Sequence, residues 1–272
     1  MKKGYDKVKS LLAYGTDIAG TVTGTAIGLL TGGPAGAVFG GAFGAALRRG
    51  LSDIANRVLS NRERMRVGAT ATFALAKIKA RMDSGQELRS DGFFDKKQTG
   101  RADADEIFEG VLLKAKNMHE EKKAKILGNI FANVAFSTGF SVGEANHLLQ
   151  IAEDLAYRQM CILSLIKRKD ELPGIKLKSE PYGEERITEI DSGINIDFSS
   201  KTASILQQTY ELVNRGLVIC TSAKPDITVL MTAFDIAPDE LLLTIMGIKY
   251  YKIMELDDID EQDIREVAKY LS

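Results

Sequence analysis

The sequence predicts a mainly α-helical protein that closes with a small α+β domain. Three observations predict it. Glycine recurs at every fourth position through "AGTVTGTAIGLLTGGPAGAVFGGAFGAALRRG", residues 19–50. Helical patterning of apolar residues then dominates from about Leu51 to about Lys169. After Pro173 the period shortens to two, with Ile194, Ile196 and Phe198 on one face of "GINIDF", before helical spacing returns. A chain of 272 residues can hold two modest domains, each with its own core. The boundaries read as a glycine-rich segment over 1–50, a helical region over 51–150, and an α+β domain over 151–272.

The first segment has an unusual composition. Between Asp17 and Arg48 there is no charge, so Ile18 to Leu47 forms a 30-residue uncharged run with nine glycines, seven alanines and four threonines. Gly20, Gly24, Gly28, Gly32, Gly36, Gly40 and Gly44 keep the four-residue register throughout. An isolated glycine costs a helix about 1 kcal/mol relative to alanine. Seven at helical spacing therefore require a compensating gain, and close backbone approach between helices supplies one. In lipid, unpaired backbone groups are costly enough that helix persists despite glycine. Thirty residues at 1.5 Å each can cross a hydrocarbon core of about 30 Å. Gly32-Gly33-Pro34 fits the turn of a helical hairpin, yet the register continues through Pro34, as a single kinked helix would have it. Both geometries stay open. Lysines at 2, 3, 7 and 9 precede the run, and Arg48, Arg49 and Arg57 follow it. Cations so placed fit an anionic lipid surface. Over about residues 15–50 the chain resembles the glycine-zipper membrane segments of bacterial proteins.

The middle of the chain reads as a helix from about Leu51 to Met82, whose start is also rich in arginine (Arg62, Arg64, Arg66). Residues 83–104, "DSGQELRSDGFFDKKQTGRADA", are polar and glycine-bearing, and read as a linker or mobile loop. Helical patterning resumes from Asp105 to about Phe136. Ser141 with Glu144 three residues later is a capping box, which places a helix start at Val142. One helix or a pair then runs to about Lys169.

Further on, "KTASILQQTYELVNRGLVIC" reads as a helix ending near Gly216 and running into a short strand. "ITVLM" reads as a second strand, and "DELLLTIMGIKYYKIMEL" and "DEQDIREVAKYL" as closing helices. Residues 154–256 resemble a decorated winged-helix domain. "DLAYRQMCILSLI" would be its first helix, "SILQQTYELVNRGLVIC" the helix entering the wing, and "ITVLM" the returning strand. "LTIMGIKYYKIMEL" matches the Leu-Thr-x-x-Gly start of the helix after a wing. Residues 168–199 are an insertion in that pattern. Winged helices often read the major groove of DNA. Here the candidate helix from Lys201 to Arg215 offers only those two cations and carries Glu211. Phosphate neutralisation, the main source of non-specific affinity, is lacking. The resemblance therefore implies a protein-binding module, and nucleic acid is disfavoured.

Charge supports different partners for the two ends. Residues 1–101 hold 17 Lys+Arg against 8 Asp+Glu, and the remainder 19 against 29. Catalytic chemistry is not indicated. His119 lies in the charged "KNMHEEKKAK", and His147 lacks a second ligand one turn away. The glycines of "GGPAGAVFGGAFG" have no preceding strand and no following Lys-Ser/Thr for a phosphate loop. Cys161 and Cys220 lie in apolar runs and read as small core residues in a reducing compartment.

No cofactor or metal is called for. The expectation is a self-oligomerising, membrane-associated protein at the cytoplasmic face of the inner membrane, or a cytoplasmic one that inserts conditionally. Anionic lipid, a second copy of itself and a protein bound by the C-terminal domain are its expected partners. By analogy of architecture, the expected role is that of a pore-forming or permeabilising effector of a bacterial defence or toxin system. The alternative is a soluble, self-assembling adaptor or regulator.

Overall fold

A computed structural model describes residues 59–182, 200–221 and 232–272. Eight α-helices and one two-stranded antiparallel sheet lie among them, with the sheet in the C-terminal region. The chain divides between Leu155 and Ala156 into two compact units.

The described residues of the first unit form four helices: α1 (Asn61–Asp83), α2 (Asp103–Asn117), α3 (Lys123–Phe136) and α4 (Val142–Asp154). The start of α1 is a correction to the helix expected from Leu51. Ser60 is an extended N-cap whose hydroxyl accepts from the Glu63 N–H, while the Glu63 carboxylate accepts from the Ser60 N–H at 2.7 Å. This capping box, Ser-x-x-Glu, was legible in the chain and marks Asn61 as the first helical residue. The hydrogen bonds from Ser60 also hold the Glu63 carboxyl below its ordinary pKa.

Helical patterning from Asp105 to Phe136 likewise resolves into two helices. Residues 119–123, "HEEKK", place five polar side chains in succession, too many for any apolar stripe to cross. Met118 takes extended backbone and is buried, which turns the chain.

α3 is enclosed on nearly every side. Ile126, Leu127, Ile130, Phe131 and Val134 are buried, as are the small residues between them. A helix apolar all round belongs in a core. Its tightest neighbour is α1, which presents Gly68, Ala69, Thr70, Ala71 and Ala74. A Cβ on Gly128 would lie 2.8 Å from the Phe73 Cβ and 2.9 Å from the Thr70 carbonyl oxygen. Only a residue without Cβ permits this approach. Gly128→Ala is expected to destabilise by about 1–3 kcal/mol, read as a lower urea midpoint at unchanged m-value. Phe108 of α2 packs on Phe131 with ring centroids 4.6 Å apart.

Residues 84–102, the polar stretch, contain turns and no regular element, yet they are anchored. Phe93 and Phe94 are buried. The Arg89 guanidinium grips both carboxylate oxygens of Asp91, donates to the Phe140 carbonyl at 2.9 Å and lies over the Phe93 ring. Those bonds from Arg89 hold the Asp91 carboxyl below its usual range.

α4 begins at Val142, one residue after Ser141, with both halves of its capping box formed. It buries Ala145, Leu148, Leu149 and Ala152 at i, i+3, i+4 and i+7.

The second unit is built round α5 (Tyr157–Arg168), in which every residue from Gln159 to Ile166 is buried. α6 (Ser200–Asn214), β1 (Val218–Cys220), β2 (Leu241–Leu243), α7 (Ile245–Met254) and α8 (Glu261–Ala268) follow. Polar groups on α5 fasten it to its neighbours. The Gln159 amide donates to Glu211, Tyr157 donates to Asp263, and Ser164 donates to the Leu256 carbonyl. The partner of β1 among the described residues is Leu241–Leu243, which had read as the beginning of a helix. The "GINIDF" and "ITVLM" segments lie outside the described residues.

Candidate interaction surface

The C-terminal sheet and α7 are joined by one local device. Gly216, with φ +67°, turns the chain out of α6 into β1. Three residues of β1 then pair with three of β2: Val218 with Leu243, Ile219 with Leu242, and Cys220 with Leu241. Thr244 caps α7. Its hydroxyl accepts from the Gly247 N–H at 2.9 Å and donates to the Gly216 carbonyl at 2.7 Å. Its own N–H donates to the Leu217 carbonyl at 3.1 Å. Leu243-Thr244-x-x-Gly247 is thus a cap and a close approach in one motif.

The pleat decides what this device exposes. Val218, Cys220 and Leu241 face the core, so the alternate residues Ile219 and Leu242 face outward as a cross-strand pair. Gly247, Tyr250, Tyr251 and Met254 form the inner side of α7, leaving Ile245, Met246 and Ile248 outside. Ile219 is 51% exposed, Leu242 50% and Ile245 89%. Among the described residues, the large exposed hydrophobic side chains are these five. Apolar groups gathered in one part of a surface mark a place of contact more often than scattered ones do.

Burial pushes the Tyr157 and Tyr251 hydroxyls up from their ordinary pKa, and their neighbours Asp263 and Asp257 push the same way. Both phenols stay protonated and act as donors within the core. Lys169 lines a shallow cleft with Lys176, Ser179 and Asp239, but its ammonium is already paired with Asp239. His119 and His147 are exposed, on separate helices or turns of the first unit. Cys161 and Cys220 are buried. No group of three or more potential metal ligands occurs among the described residues. No known family model, curated protein or solved structure matches the chain.

The residues singled out in the N-terminal segment (Gly20, Gly24, Gly28, Gly32, Gly36, Gly40, Gly44, Arg48, Arg49 and Arg57) lie outside the described residues. Among the described residues, no helix is long and apolar enough to cross a membrane. The helix from Lys201 to Arg215 is placed as α6. It buries Ile205, Leu206, Thr209 and Leu212, and exposes Lys201, Gln207 and Glu211. Lys201 is the one cation within α6, and Arg215, just past its last residue, is also exposed. The apolar surface was hidden from sequence reasoning. Ile219, Leu242 and Ile245 look like core residues by type, and only the strand register and the Thr244 cap turn them outward.

Proposed function

We propose that the protein associates with itself and with an anionic membrane through the glycine run of residues 20–44, while its C-terminal unit docks a protein partner. The single observation that carries this reading is the register: seven glycines at four-residue steps in 30 uncharged residues. In this reading Arg48, Arg49 and Arg57 meet lipid headgroups at the end of the run. The C-terminal unit is a winged-helix-like module, supported by the order α5, α6, β1, β2, α7 and by the Leu-Thr-x-x-Gly cap. The protein then works without catalysis, as an oligomer at the cytoplasmic face of the inner membrane or as a cytoplasmic form that inserts conditionally. Permeabilising that membrane within a bacterial defence or toxin system is the role this architecture serves best. The gathering of exposed apolar side chains at Ile219, Leu242 and Ile245 favours a second reading, a soluble self-assembling adaptor.

Flotation with liposomes separates the two. Wild-type protein is expected to rise with vesicles containing anionic lipid and to cross-link as an oligomer. Gly28→Leu combined with Gly36→Leu is expected to reduce both. Wild-type protein left at the bottom of the gradient favours the adaptor. If the double variant floats and cross-links as before, the glycine register has no role in either property.

A further inference from the structure

The fold of the first unit collects cations at one of its two ends. The Arg66 guanidinium, in the second turn of α1, donates to the Lys116 carbonyl at 2.8 Å, so α1 begins where α2 finishes. α3 begins after a five-residue turn, at the same end. α4 finishes there too, because the Lys123 ammonium donates to the carbonyls of Glu153 and Leu155. Residues 60–66, 114–125 and 153–155 make up this end, with eight Lys or Arg against five Asp or Glu. The opposite end is defined by Arg81 donating to Asn133 and by the Arg89 N–H donating to the Ala135 carbonyl. Its residues, 79–106 and 133–145, hold six Lys or Arg against eight Asp or Glu. The described residues of the unit are therefore polarised along its helices.

The acids at the basic end are partly engaged. Glu153 pairs with Lys114, and Glu63 accepts from Ser60 and lies 3.9 Å from Lys116. Glu120, Glu121 and Asp154 are the other carboxylates there. Lys123 points inward to α4, whereas Arg62, Arg64 and Lys122 are exposed and Lys125 is half-buried. Leu59, the first described residue, also lies at this end, and the glycine run and its arginines precede it in sequence. We infer that the basic end rests on anionic phospholipid headgroups, with Arg62, Arg64, Lys122 and Lys125 as its contact cations. This inference rests on the membrane reading above and extends it. A mildly hydrophobic segment anchors weakly alone, and stable membrane binding takes a second signal such as a basic patch. Folding brings Lys122 and Lys125 beside the arginines to supply it.

The full chain is floated with phosphatidylcholine vesicles, with and without phosphatidylglycerol. Wild-type protein is expected to partition more strongly onto the anionic vesicles, and less so as salt is raised. Lys122→Gln with Lys125→Gln is expected to weaken that partition about tenfold or more. Lys96→Gln with Lys97→Gln, at the opposite end, is expected to leave it unchanged, and Lys122→Arg with Lys125→Arg to retain it. Unchanged thermal melts show that the variants are folded. Equal wild-type partition onto both vesicle types overturns the inference and leaves the glycine reading standing. So does undiminished binding of the Lys122/Lys125 glutamine pair. Wild-type protein that floats with neither vesicle overturns both. Binding to duplex DNA that the glutamine pair abolishes, with vesicle binding intact, overturns the inference in favour of nucleic acid.

Discussion

Gly247→Ala is expected to lower the melting temperature of the C-terminal unit by roughly 10 °C or more, the equivalent of at least about 3 kcal/mol. A Cβ at that position would lie 2.0 Å from the Leu217 carbonyl oxygen and 3.0 Å from its carbon. The obstructing atoms are backbone, so no side-chain rotation relieves the clash. Moving Leu217 would break the hydrogen bond from the Thr244 N–H and pull on β1 next to its pairing with β2. The measurement is differential scanning calorimetry of the full chain, supported by near-ultraviolet circular dichroism of the tyrosines on α7. A melt within a degree or two of wild type would contradict this account of the motif. Thr244→Ala removes the cap and the hydroxyl's bond to the Gly216 carbonyl but leaves the backbone in place, and is expected to cost about 1–2 kcal/mol, a smaller loss.

Lys123→Ala is expected to destabilise the first unit by about 2–4 kcal/mol. The Lys123 ammonium donates at 2.8 Å and 2.7 Å to the carbonyls of Glu153 and Leu155, where α4 ends. A helix leaves its last carbonyls without partners, and here a buried lysine from α3 supplies the donors. Orphaning those acceptors costs roughly 1–3 kcal/mol, and losing the packed stem adds to it. Lys123→Met keeps most of the stem and is expected to fall between alanine and wild type. pH distinguishes the two contributions. Burial pushes the ammonium below its ordinary pKa of 10.5, opposed by Glu120, Glu153 and Asp154. The unfolded chain therefore holds the proton more tightly than the folded one. Wild-type stability gains as pH climbs through the depressed value towards 10.5, and that gain is lost as pH falls back. The advantage of wild type over Lys123→Met is accordingly expected to grow as pH is raised towards 10.5 in urea titrations. A difference that stays constant as pH rises would show that burial does not tax the charge.

Much of the helical part was legible from local signals. Ser141 and Glu144 located the start of α4 to the residue, because a capping box needs only neighbours in sequence. The equivalent pair Ser60 and Glu63 carries the same information for α1, but the apolar marks at Leu51, Ile54 and Val58 continue the helical spacing upstream of it and mask the start. "HEEKK" held the break between α2 and α3 in its run of polar residues. Other features depended on tertiary geometry. Leu241 to Leu243 has no alternation to mark a strand, and becomes one by pairing with β1. Phe93 and Phe94 sat in a stretch whose polarity suggested a tether, and their burial follows from Arg89 fastening the loop to the end of α3. The exposed apolar surface illustrates the limit best. Residue type says that Ile219 and Ile245 prefer a core, and only the pleat and the cap say that they miss it. The glycine register, by contrast, is a property of sequence alone.

The enclosure of α3 governs how the four described helices of the first unit can open. A helix with one solvent-facing side can fray or detach while its neighbours stay in place. α3 has almost no such side, since Ala124, Ile126 to Ala132, Val134 and Ala135 are all buried. Its amide protons are therefore expected to be among the slowest to exchange in the described part of the unit, a ranking that native-state hydrogen exchange measures. What emerges when these helices open is a continuous sticky ribbon, the part of them best able to seed aggregation.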